Sequence, residues 1–453
     1  MQISVVGLGK VGLSLTSCLV AAGHNVVGAD VDASLVDCLN RRLYPTSEPG
    51  VAERFSRPSP GTLTATTEVA RAVRDTDATF VIVPTPSNVL GGFSLRYVLA
   101  ACDDIGHALR EKTGRHTIAI VSTLLPGSSD AIVIPRIEAA SGKKQGSGFG
   151  YCYNPSFIAL GEVVTGIERP DYLLIGEADA LAGDTVLSIH QSIVTTSSPV
   201  SRMTPVEAEI AKIASNTHET MRVSFANMLL SICSEVPGAN VDHITEALAH
   251  RMGRRFFKGA VPYGGPCWPR DNVAFSAFMD AIRTPSALPR AVDTVNAEHG
   301  RYVFRKILEQ SNAGDTVGLL GLAYKPGTPI IDRAFAIDLA TWLMNEDRSV
   351  VGWDPLAEDE VRALLGARIA YADSAAECLN RSDVAVVTLP MPQLMDTDWT
   401  AARNLTVIDC WRCLPADVVR VLGRYVPLGI GPSTDVASWL EKVAGDYFHR
   451  LTS

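Results

Sequence analysis

The sequence carries no excess of basic residues. Its 40 lysines and arginines are outnumbered by 49 aspartates and glutamates, which gives a formal net charge of -9 at pH 7. Because a nucleic-acid binder needs clustered cations to neutralise phosphates, this balance argues against a nucleic-acid partner. An anionic ligand would have to be held by a few local cations or by backbone amides.

Long hydrophobic runs and metal-binding cysteine patterns are also lacking. No segment reaches about 18 uncharged apolar residues, and the opening MQISVVGLGKVG has no charged stretch ahead of an apolar one. We therefore expect a cytoplasmic protein with no membrane partner. We interpret the nine cysteines as scattered, without Cys-x-x-Cys pairs or histidine partners at metal-ligand spacing, and so expect reduced thiols, no disulfide framework and no metal site.

The sequence does contain an alternation of short β-branched runs with helical patterns. With 453 residues, 47% of them hydrophobic, two or three domains are expected. The strand-like runs lie at residues 3–6, 25–29, 79–83, 117–121 and 172–175, and again at 316–320, 349–353, 384–388 and 406–408. This pattern is typical of parallel sheets covered by helices.

The middle of the chain has helical patterns alone. One uninterrupted helix-forming stretch runs from residue 205 to about 236, and another from about 288 to 310. The sequence therefore predicts an α/β fold with two doubly wound Rossmann-like domains, residues 1–204 and 311–453. They are joined by a helical central domain with a long helix, residues 205–310. Ligands of such sheets bind at the carboxyl ends of the strands.

A glycine-rich turn directly follows the first predicted strand. It consists of Gly7, Leu8, Gly9, Lys10, Val11 and Gly12. In this spacing the first glycine permits the turn, the second admits a diphosphate, and the third lets helix and strand pack closely. Asp30 ends the next strand, where a carboxylate accepts hydrogen bonds from a ribose 2′-hydroxyl and repels a 2′-phosphate. The pattern predicts binding of NAD over NADP, and a tight turn in a ligand-free α/β domain is the alternative.

A second motif crowds glycines and prolines ahead of a cysteine. It reads Tyr263, Gly264, Gly265, Pro266, Cys267, Trp268, Pro269, Arg270, Asp271 and Asn272. Asp271 and Asn272 can cap a helix that begins there, and a helix dipole near Cys267 would favour its thiolate. A cysteine whose thiolate is stabilised in this way suits the role of a nucleophile. The alternative is a buried cysteine in a loop whose Asp271 is merely an N-cap.

Two polar residues stand out on the predicted long helix. Lys212 and Asn216 lie four residues apart, so their side chains project from one face. Taken alone, the pair is better explained as a solvated lysine with an asparagine neighbour.

Together these residues resemble the UDP-glucose/GDP-mannose dehydrogenase family over nearly the whole chain. The Gly-Gly-x-Cys-x-Pro-Lys/Arg-Asp pattern of the cysteine loop is the most specific match. Further matches are residues 83–86, 122–123, 211–216, 251–253 and 321–326. The resemblance implies an NAD-dependent nucleotide-sugar 6-dehydrogenase, most similar to UDP-glucose 6-dehydrogenase, that acts as a homodimer.

The resemblance also assigns roles to residues. The implied catalytic residues are Cys267, Lys212, Asn216, Asp271 and Thr123. The implied cofactor-binding residues are Gly7, Gly9, Lys10, Val11, Gly12, Asp30, Thr85, Pro86 and Thr123. The implied substrate-binding residues are Arg251, Phe256, Lys258, Tyr263, Gly264 and Lys325.

The implied chemistry is a four-electron oxidation of a primary alcohol to a carboxylate in two hydride transfers. Lys212 and Asn216 stabilise the substrate oxygen, and Cys267 carries the aldehyde through a thiohemiacetal to a thioester. Water then hydrolyses the thioester, with Asp271 assisting proton movement and Thr123 orienting the water.

The first departure from the family pattern removes two carboxylates. Where the family carries glutamates in Asn-Pro-Glu-Phe-Leu-x-Glu-Gly, this chain has Ser156 and Leu160. Thioester hydrolysis is therefore expected to be slow or to use another base, such as Asp271 or, as a weaker candidate, Glu162.

The second departure follows Lys325. Where the family has Asp-Asp-x-Arg, residues 329–332 read Pro-Ile-Ile-Asp and place Asp332 at the position of an expected substrate-binding arginine. Arg333 could replace that arginine if the loop shifts. Both departures lie on substrate-facing segments, so we infer a divergent substrate or an altered nucleotide pose.

Several alternatives stay open on sequence alone. GDP-mannose, a UDP-N-acetylhexosamine or an unusual nucleoside could replace UDP-glucose. A two-electron β-hydroxyacid-type dehydrogenase shares a Rossmann domain and a helical connector, but it needs neither the cysteine loop nor a second nucleotide-binding domain. A non-catalytic NAD-binding protein would explain Ser156 and Leu160. The retained catalytic candidates oppose it, namely Lys212, Asn216, Cys267 and Asp271.

Overall fold

The structure, a computed structural model, describes residues 1–443, so the last ten residues of the predicted C-terminal domain, 444–453, lie outside the described part. The chain forms two compact units. The first is Met1–Ser215 with Ala277–Thr284, and the second is Asn216–Ser276 with the chain from Pro285 onward. The proposed division into three domains stays a prediction.

The first unit contains one eight-stranded sheet. Its strands are β1 (Gln2–Val6), β2 (Asn25–Ala29), β3 (Thr62–Thr66), β4 (Ala78–Val81), β5 (Thr117–Ile120), β6 (Gly150–Tyr153), β7 (Leu173–Glu177) and β8 (Val200–Met203). They lie in the order β3-β2-β1-β4-β5-β6-β7-β8. Neighbours are parallel except for the antiparallel pair β6 and β7.

Eight α-helices accompany this sheet in the first unit. They are α1 (Lys10–Ala21), α2 (Ala33–Asn40), α3 (Val51–Ser56), α4 (Val69–Arg74), α5 (Arg96–Glu111), α6 (Ile134–Ser141), α7 (Val163–Glu168) and α8 (Ala180–Ile193). A π-helical turn, Ser129–Val133, precedes α6. The central strands β4, β5 and β6 are wholly buried, as parallel strands covered by helices on both faces require.

Helix α9 (Pro205–Glu235) runs through the border between the units at Ser215 and Asn216. The later helices are α10 (Val241–Met252), α11 (Trp268–Ala281), α12 (Ala287–Leu308), α13 (Phe335–Asn345), α14 (Glu358–Leu365), α15 (Ala375–Asn380), α16 (Ala416–Val421) and α17 (Val436–Val443). Short 3-10 turns occupy Gly366–Arg368, Pro392–Asp396 and Trp399–Asn404.

The second unit contains a six-stranded, all-parallel sheet. Its strands are β9 (Thr316–Leu320), β10 (Ser349–Trp353), β11 (Ala370–Tyr371), β12 (Val384–Val387), β13 (Thr406–Asp409) and β14 (Arg424–Pro427). They lie in the order β11-β10-β9-β12-β13-β14. Leu230 of α9 and Phe304 of α12 share one apolar core with Leu319 of β9, so central helices pack together with the C-terminal sheet.

The predicted fold class is confirmed, with two Rossmann-like sheets and a helical central region. The sequence does not predict five of the strands. Four of them, β3, β8, β11 and β14, are the edges of the two sheets, where a strand needs no continuous apolar run. The fifth, β6, is buried but is built from glycine, tyrosine and cysteine, which lack the β-branched signal.

Candidate active site

The glycine turn after β1 leads directly into α1, which begins at Lys10. Gly7 has a positive φ of 91° and its missing Cβ would overlap the carbonyl of Ile82, while a Cβ on Gly12 would overlap the carbonyl of Gly7. A Cβ on Gly9, in contrast, would meet none of the described atoms within 4 Å. The space above Gly9 is therefore open to a diphosphate beside the N-terminal amides of α1.

Asp30 lies at the end of β2 next to this turn. Its Oδ2 accepts a hydrogen bond from the amide of Leu8 at 2.6 Å, and its Oδ1 accepts one from the amide of Asp32 at 3.0 Å. The side chain is half-buried, and a carboxylate oxygen has more than one lone pair. Asp30 thus fixes the turn and still suits a ribose hydroxyl, so this site fits NAD.

The loops after β4 and β5 lie at the same edge of the sheet as the glycine turn. Ser122 joins them, because its Oγ accepts from the amide of Val83 at 2.9 Å and donates to the carbonyl of Val83 at 2.7 Å. Thr85 is buried, and Pro86 and Thr123 are half-buried. The structure therefore brings the expected cofactor-binding residues to one edge of the first sheet.

Lys212 lies on α9 and is 9% exposed. Its Nζ donates to the carbonyl of Ser156 at 2.8 Å and lies 4.5 Å from the centre of the Phe157 ring. Ser156 stands where the family pattern has a glutamate. The neighbours of the Lys212 ammonium group are therefore the backbone carbonyl of Ser156 and the aromatic face of Phe157. Leu160 is half-buried and Glu162 is exposed on the same loop.

Cys267 is exposed and directly precedes α11 in the second unit. Its carbonyl accepts the first hydrogen bond of that helix, from the amide of Asp271 at 2.8 Å. The expectation that the helix begins at Asp271 is wrong, since it begins at Trp268. Pro269 does not prevent this, because proline is tolerated in the first turn of a helix. The sulfur therefore lies closer to the helix N-terminus than the sequence indicated.

Asp271 is buried, at 1% exposure, one turn into α11. Its Oδ2 accepts from the Asn216 amide at 2.6 Å, and its Oδ1 accepts from Nε of Arg270 at 2.8 Å. Both carboxylate oxygens are thus engaged. Asn216 and Lys212 lie on the same helix one turn apart, as the sequence predicts.

Tyr263 begins the cysteine loop and is tied to α12. Its hydroxyl donates to Oδ1 of Asp293 at 2.6 Å, and its amide donates to Asn296 at 2.9 Å. Burial, helped by the Asp293 carboxylate, raises the pKa of this phenol. Asn272, which is fully buried, donates to the same Asp293 oxygen at 2.9 Å. These bonds anchor both ends of the loop that carries Cys267.

The remaining expected substrate-binding residues also belong to the second unit. Arg251 and Lys258 are exposed, and Lys325 is half-buried. The ring of Phe256 lies 5.1 Å from that of Trp268. A Cβ on Gly264 would overlap the carbonyl of Arg333, so the segment after Lys325 packs directly against the cysteine loop.

Backbone atoms join these two segments. The amide of Gly265 donates to the carbonyl of Asp332 at 2.9 Å. The ring of Tyr324 lies against Gly265, 2.7 Å from where a Cβ would be. Arg333 is exposed with a positive φ of 51°.

The interpretation that the cysteines form no Cys-x-x-Cys pair is wrong at one place. Cys410 and Cys413 follow β13 with two residues between them, the spacing of many redox motifs. Cys410 is buried, and burial raises the pKa of Cys413 to about 12. The exposed Cys267 is therefore the better placed nucleophile.

A helix that spans a membrane must be both long and apolar, and none of the helices within residues 1–443 meets these two requirements.

Comparison with known proteins supports this interpretation along most of the chain. Models of the UDP-glucose/GDP-mannose dehydrogenase family match its NAD-binding domain at residues 1–194, its central domain at 206–298 and its UDP-binding domain at 318–416. The solved structure of a UDP-glucose dehydrogenase from Pyrobaculum islandicum is similar at a TM-score of 0.84 and 29% identity, covering 94% of this chain and 97% of that one.

Two curated relatives show the same relationship. A UDP-glucose 6-dehydrogenase from Haloferax volcanii is 34% identical over 416 residues, which is 90% of this chain and 96% of the relative. A GDP-mannose 6-dehydrogenase from Pseudomonas aeruginosa is 33% identical over 350 residues, covering 76% of this chain and 79% of the relative. The chain belongs to the UDP-glucose/GDP-mannose dehydrogenase family and is an NAD-dependent oxidoreductase that acts on a nucleotide sugar, as the sequence predicts.

Proposed function

We propose that this enzyme is a UDP-glucose 6-dehydrogenase that oxidises a primary alcohol to a carboxylate with Cys267 as covalent nucleophile. The observation that carries the proposal is the placement of Cys267, which is exposed, directly precedes α11 and lies one turn from the buried pair Asp271 and Asn216. A UDP-glucose 6-dehydrogenase relative that spans 90% of this chain supports UDP-glucose as the substrate.

The glycine turn and Asp30 are assigned to the cofactor. The amides of residues 9–12, at the N-terminus of α1, would hold the diphosphate, and Asp30 would accept from the ribose. Thr85, Pro86 and Thr123 would line the same edge of the sheet. When bound, NAD⁺ accepts the hydrides that the substrate carbon loses in two successive oxidations.

Lys212 and Asn216 are assigned to the substrate oxygen. The ammonium group of Lys212 is fixed by Ser156 and Phe157, and the amide of Asn216 is fixed by Asp271. Groups held in advance of the reaction stabilise a developing negative charge without reorganising. Their fixed positions support this role.

Cys267 is assigned to the aldehyde carbon. Its thiolate forms a carbon–sulfur bond and the carbonyl oxygen takes up a proton, which gives a thiohemiacetal. After the second oxidation the carbon is a thioester. Water then adds, the carbon–sulfur bond breaks, and the carboxylate and the thiol are released. Covalent capture retains the aldehyde between the two oxidations.

The base that would activate water for hydrolysis of the thioester is the role that the described residues support least. Asp271 is buried and accepts hydrogen bonds at both oxygens, which supports a role in orienting Asn216 more than in activating water. Ser156 and Leu160 have no carboxylate, and Glu162 is exposed. Thr123 is assigned to hold the water. We therefore expect hydrolysis of the thioester to limit the rate of turnover.

The nucleotide is assigned to the segments that pack around the cysteine loop. Lys325 and Gly264 belong to segments joined by the bond between Gly265 and Asp332, which supports their contact with one substrate. Arg251, Phe256 and Lys258 are assigned by the family pattern. The hydroxyl of Tyr263 already serves Asp293, so its contact with substrate stays a prediction.

We also propose a homodimer. Helix α9 exposes Phe225, Met228 and Ile232 at 38%, 42% and 50%, and their spacing places them on one side of the helix. An apolar stripe of this kind suits a second copy of the chain. The expected cytoplasmic location stays a prediction.

The proposal is tested by the stoichiometry of NAD⁺ reduction. We expect wild-type enzyme to reduce two NAD⁺ for each UDP-glucuronate formed, measured at 340 nm with product analysis. Cys267→Ser is expected to form no acid, whereas Cys38→Ser, which alters a half-buried cysteine of α2, is expected to match the wild type. Formation of aldehyde alone by the wild type would refute the covalent route.

The choice of sugar is tested in the same assay. UDP-glucose, GDP-mannose and a UDP-N-acetylhexosamine are compared by kcat/KM. GDP-mannose is the second candidate because relatives of that activity are 33% identical to this chain. A higher kcat/KM with GDP-mannose than with UDP-glucose would overturn the proposed substrate and leave the chemistry intact.

A further inference from the structure

Glu209 is a buried carboxylate to which neither the family pattern nor the proposed chemistry gives a role. It lies on α9, one turn ahead of Lys212, and is 0% exposed. A buried charge is unfavourable unless hydrogen bonds compensate it. Glu209 accepts two: its Oε2 receives the amide of Gly127 at 2.6 Å, and its Oε1 receives the amide of Ser129 at 2.8 Å.

The two amides belong to the loop that carries Thr123. This loop is also fixed at its start, where Ser122 bonds to Val83, and at Leu124, whose amide donates to the Tyr153 hydroxyl at 3.4 Å. Glu209 fixes its far end, just before the π-helical turn. The backbone on both sides of Thr123 is therefore held in place.

Lys212 holds a different loop from the same turn of α9. Its Nζ donates to the carbonyl of Ser156, in the loop after β6. Residues three apart on a helix project in similar directions. One turn of α9 thus binds the loop after β5 through Glu209 and the loop after β6 through Lys212.

We propose that Glu209 is a positioning residue that sets the Thr123 loop in register with Lys212. The inference rests on the proposed function, in which Thr123 serves the cofactor and the water, and Lys212 serves the substrate oxygen. A displacement of about 1 Å between such groups lowers rates by roughly 100-fold. Glu209 acts through the loop and touches neither reactant.

The variant that isolates this role is Glu209→Gln. Glutamine has nearly the same shape but one acceptor oxygen, and its NH₂ group would face one of the two amides. The loop would lose one of its two bonds to α9. Thr123 would move relative to Lys212, whereas the segments assigned to the nucleotide belong to the second unit.

The test compares steady-state kinetics after correction for the folded fraction. Glu209→Gln is expected to lower kcat at least tenfold and to raise KM for NAD⁺, with KM for the nucleotide sugar unchanged within twofold. Hydrogen exchange of residues 124–130 is expected to accelerate. Glu207→Gln is the matched control, because Glu207 is an exposed carboxylate of α9 that bonds to the Thr204 amide at 2.9 Å.

A second control separates positioning from loss of stability. Asp409→Asn removes a fully buried carboxylate that accepts backbone amides in the second unit, so it should destabilise the protein without altering KM for NAD⁺. Unchanged kcat and KM for NAD⁺ in Glu209→Gln would overturn the inference. Failure of the wild type to oxidise any nucleotide sugar would instead refute the proposed function.

Discussion

The two sheets of this enzyme share one local pattern but differ in what it can bind. In the first, Gly7 and Leu8 follow β1, and Asp30 follows β2. In the second, Gly321 and Leu322 follow β9, and Asp354 follows β10. Each aspartate accepts the amide of its leucine, at 2.6 Å from Leu8 and at 2.8 Å from Leu322.

The packing beneath the turn is also the same. Gly28 of β2 lies under Leu8, which would be 2.7 Å from an added Cβ, and Gly352 of β10 lies under Leu322 at 3.0 Å. Both leucines therefore need a glycine on the neighbouring strand.

The difference lies in the use of the carboxylate. Asp354 is 5% exposed and accepts four backbone amides, from Leu322, Ala323, Leu356 and Ala357. Asp30 is half-buried and accepts the amides of Leu8 and Asp32. The same residue at the same place thus stabilises the turn in one sheet and also suits a ribose in the other.

The helix after the turn differs as well. α1 begins at Lys10, directly after Gly9, whereas α13 begins at Phe335, well beyond Gly321. Because the amides at a helix N-terminus favour a diphosphate, the turn of the first sheet suits the diphosphate of a dinucleotide, whereas no helix begins directly after the turn of the second sheet. The shared turn is a folding element, and cofactor binding depends on what surrounds it.

The largest expected effect is on stability, at Asp354. Asp354→Ala leaves four amides without their acceptor, three of them on buried residues, and each buried group of this kind costs about 1–3 kcal/mol. We expect a loss of about 4 kcal/mol or more in the free energy of unfolding, against about 2 kcal/mol for Asp30→Ala, measured by urea unfolding. Equal losses in the free energy of unfolding would show that the two carboxylates stabilise the protein equally.

The next effect is on cofactor affinity, at Asp30. Asp30→Ala removes an acceptor for the ribose, and hydrogen bonds to a charged group contribute about 1.5–3 kcal/mol. The Kd for NAD⁺ should rise about 10- to 100-fold, measured by titration calorimetry. Asp354→Asn is the control and should keep the wild-type Kd.

A smaller effect is expected at the second glycine of the turn. Gly9→Ala places a methyl group in the space assigned to the diphosphate, so we expect the Kd for NAD⁺ to rise about tenfold. Stability should change by less than about 1 kcal/mol, because reduced chain entropy and a weaker N-cap oppose each other. The reverse change in the other turn, Ala323→Gly, should leave NAD⁺ affinity unchanged.

The last difference concerns acid sensitivity. Burial lowers the pKa of His116 to about 3 and of His190 to about 4 in the first unit, and of His299 to about 4 in the second. Below pH 6.5 these imidazoles become protonated in the unfolded chain but stay neutral in the folded one. The free energy of unfolding therefore falls as the pH falls towards 4. Each histidine contributes about 1.4 kcal/mol per pH unit.

The first unit, with two such histidines, should therefore lose stability faster on acidification. His190→Gln is expected to reduce the change in its unfolding midpoint between pH 6.5 and 5, followed by urea unfolding with segment-resolved hydrogen exchange. An unaltered pH dependence in this variant would show that His190 is not responsible.

Sequence reasoning succeeds where one physical requirement acts on adjacent residues. The largely buried strands β2, β9 and β10 are predicted with their observed bounds, because burial on both faces favours continuous apolar runs. The glycine turn is predicted for a similar reason, since Gly12 packs against Gly7 within six residues.

Prediction fails where the partner is distant in the chain. The bond from Tyr263 to Asp293 spans 30 residues, and those of Glu209 to Gly127 and Ser129 span 82 and 80. No local pattern in the sequence indicates such pairs. The start of α11 at Trp268 is likewise hidden, because the nearby prolines suggest a loop.

The bond between Gly265 and Asp332 has a consequence for how specificity can diverge. It is made by main-chain atoms, so any residue at position 332 preserves it. We therefore expect the side chains of residues 329–333 to be exchangeable without loss of this bond, so that changes there would alter the proposed substrate contacts while Cys267 keeps its place.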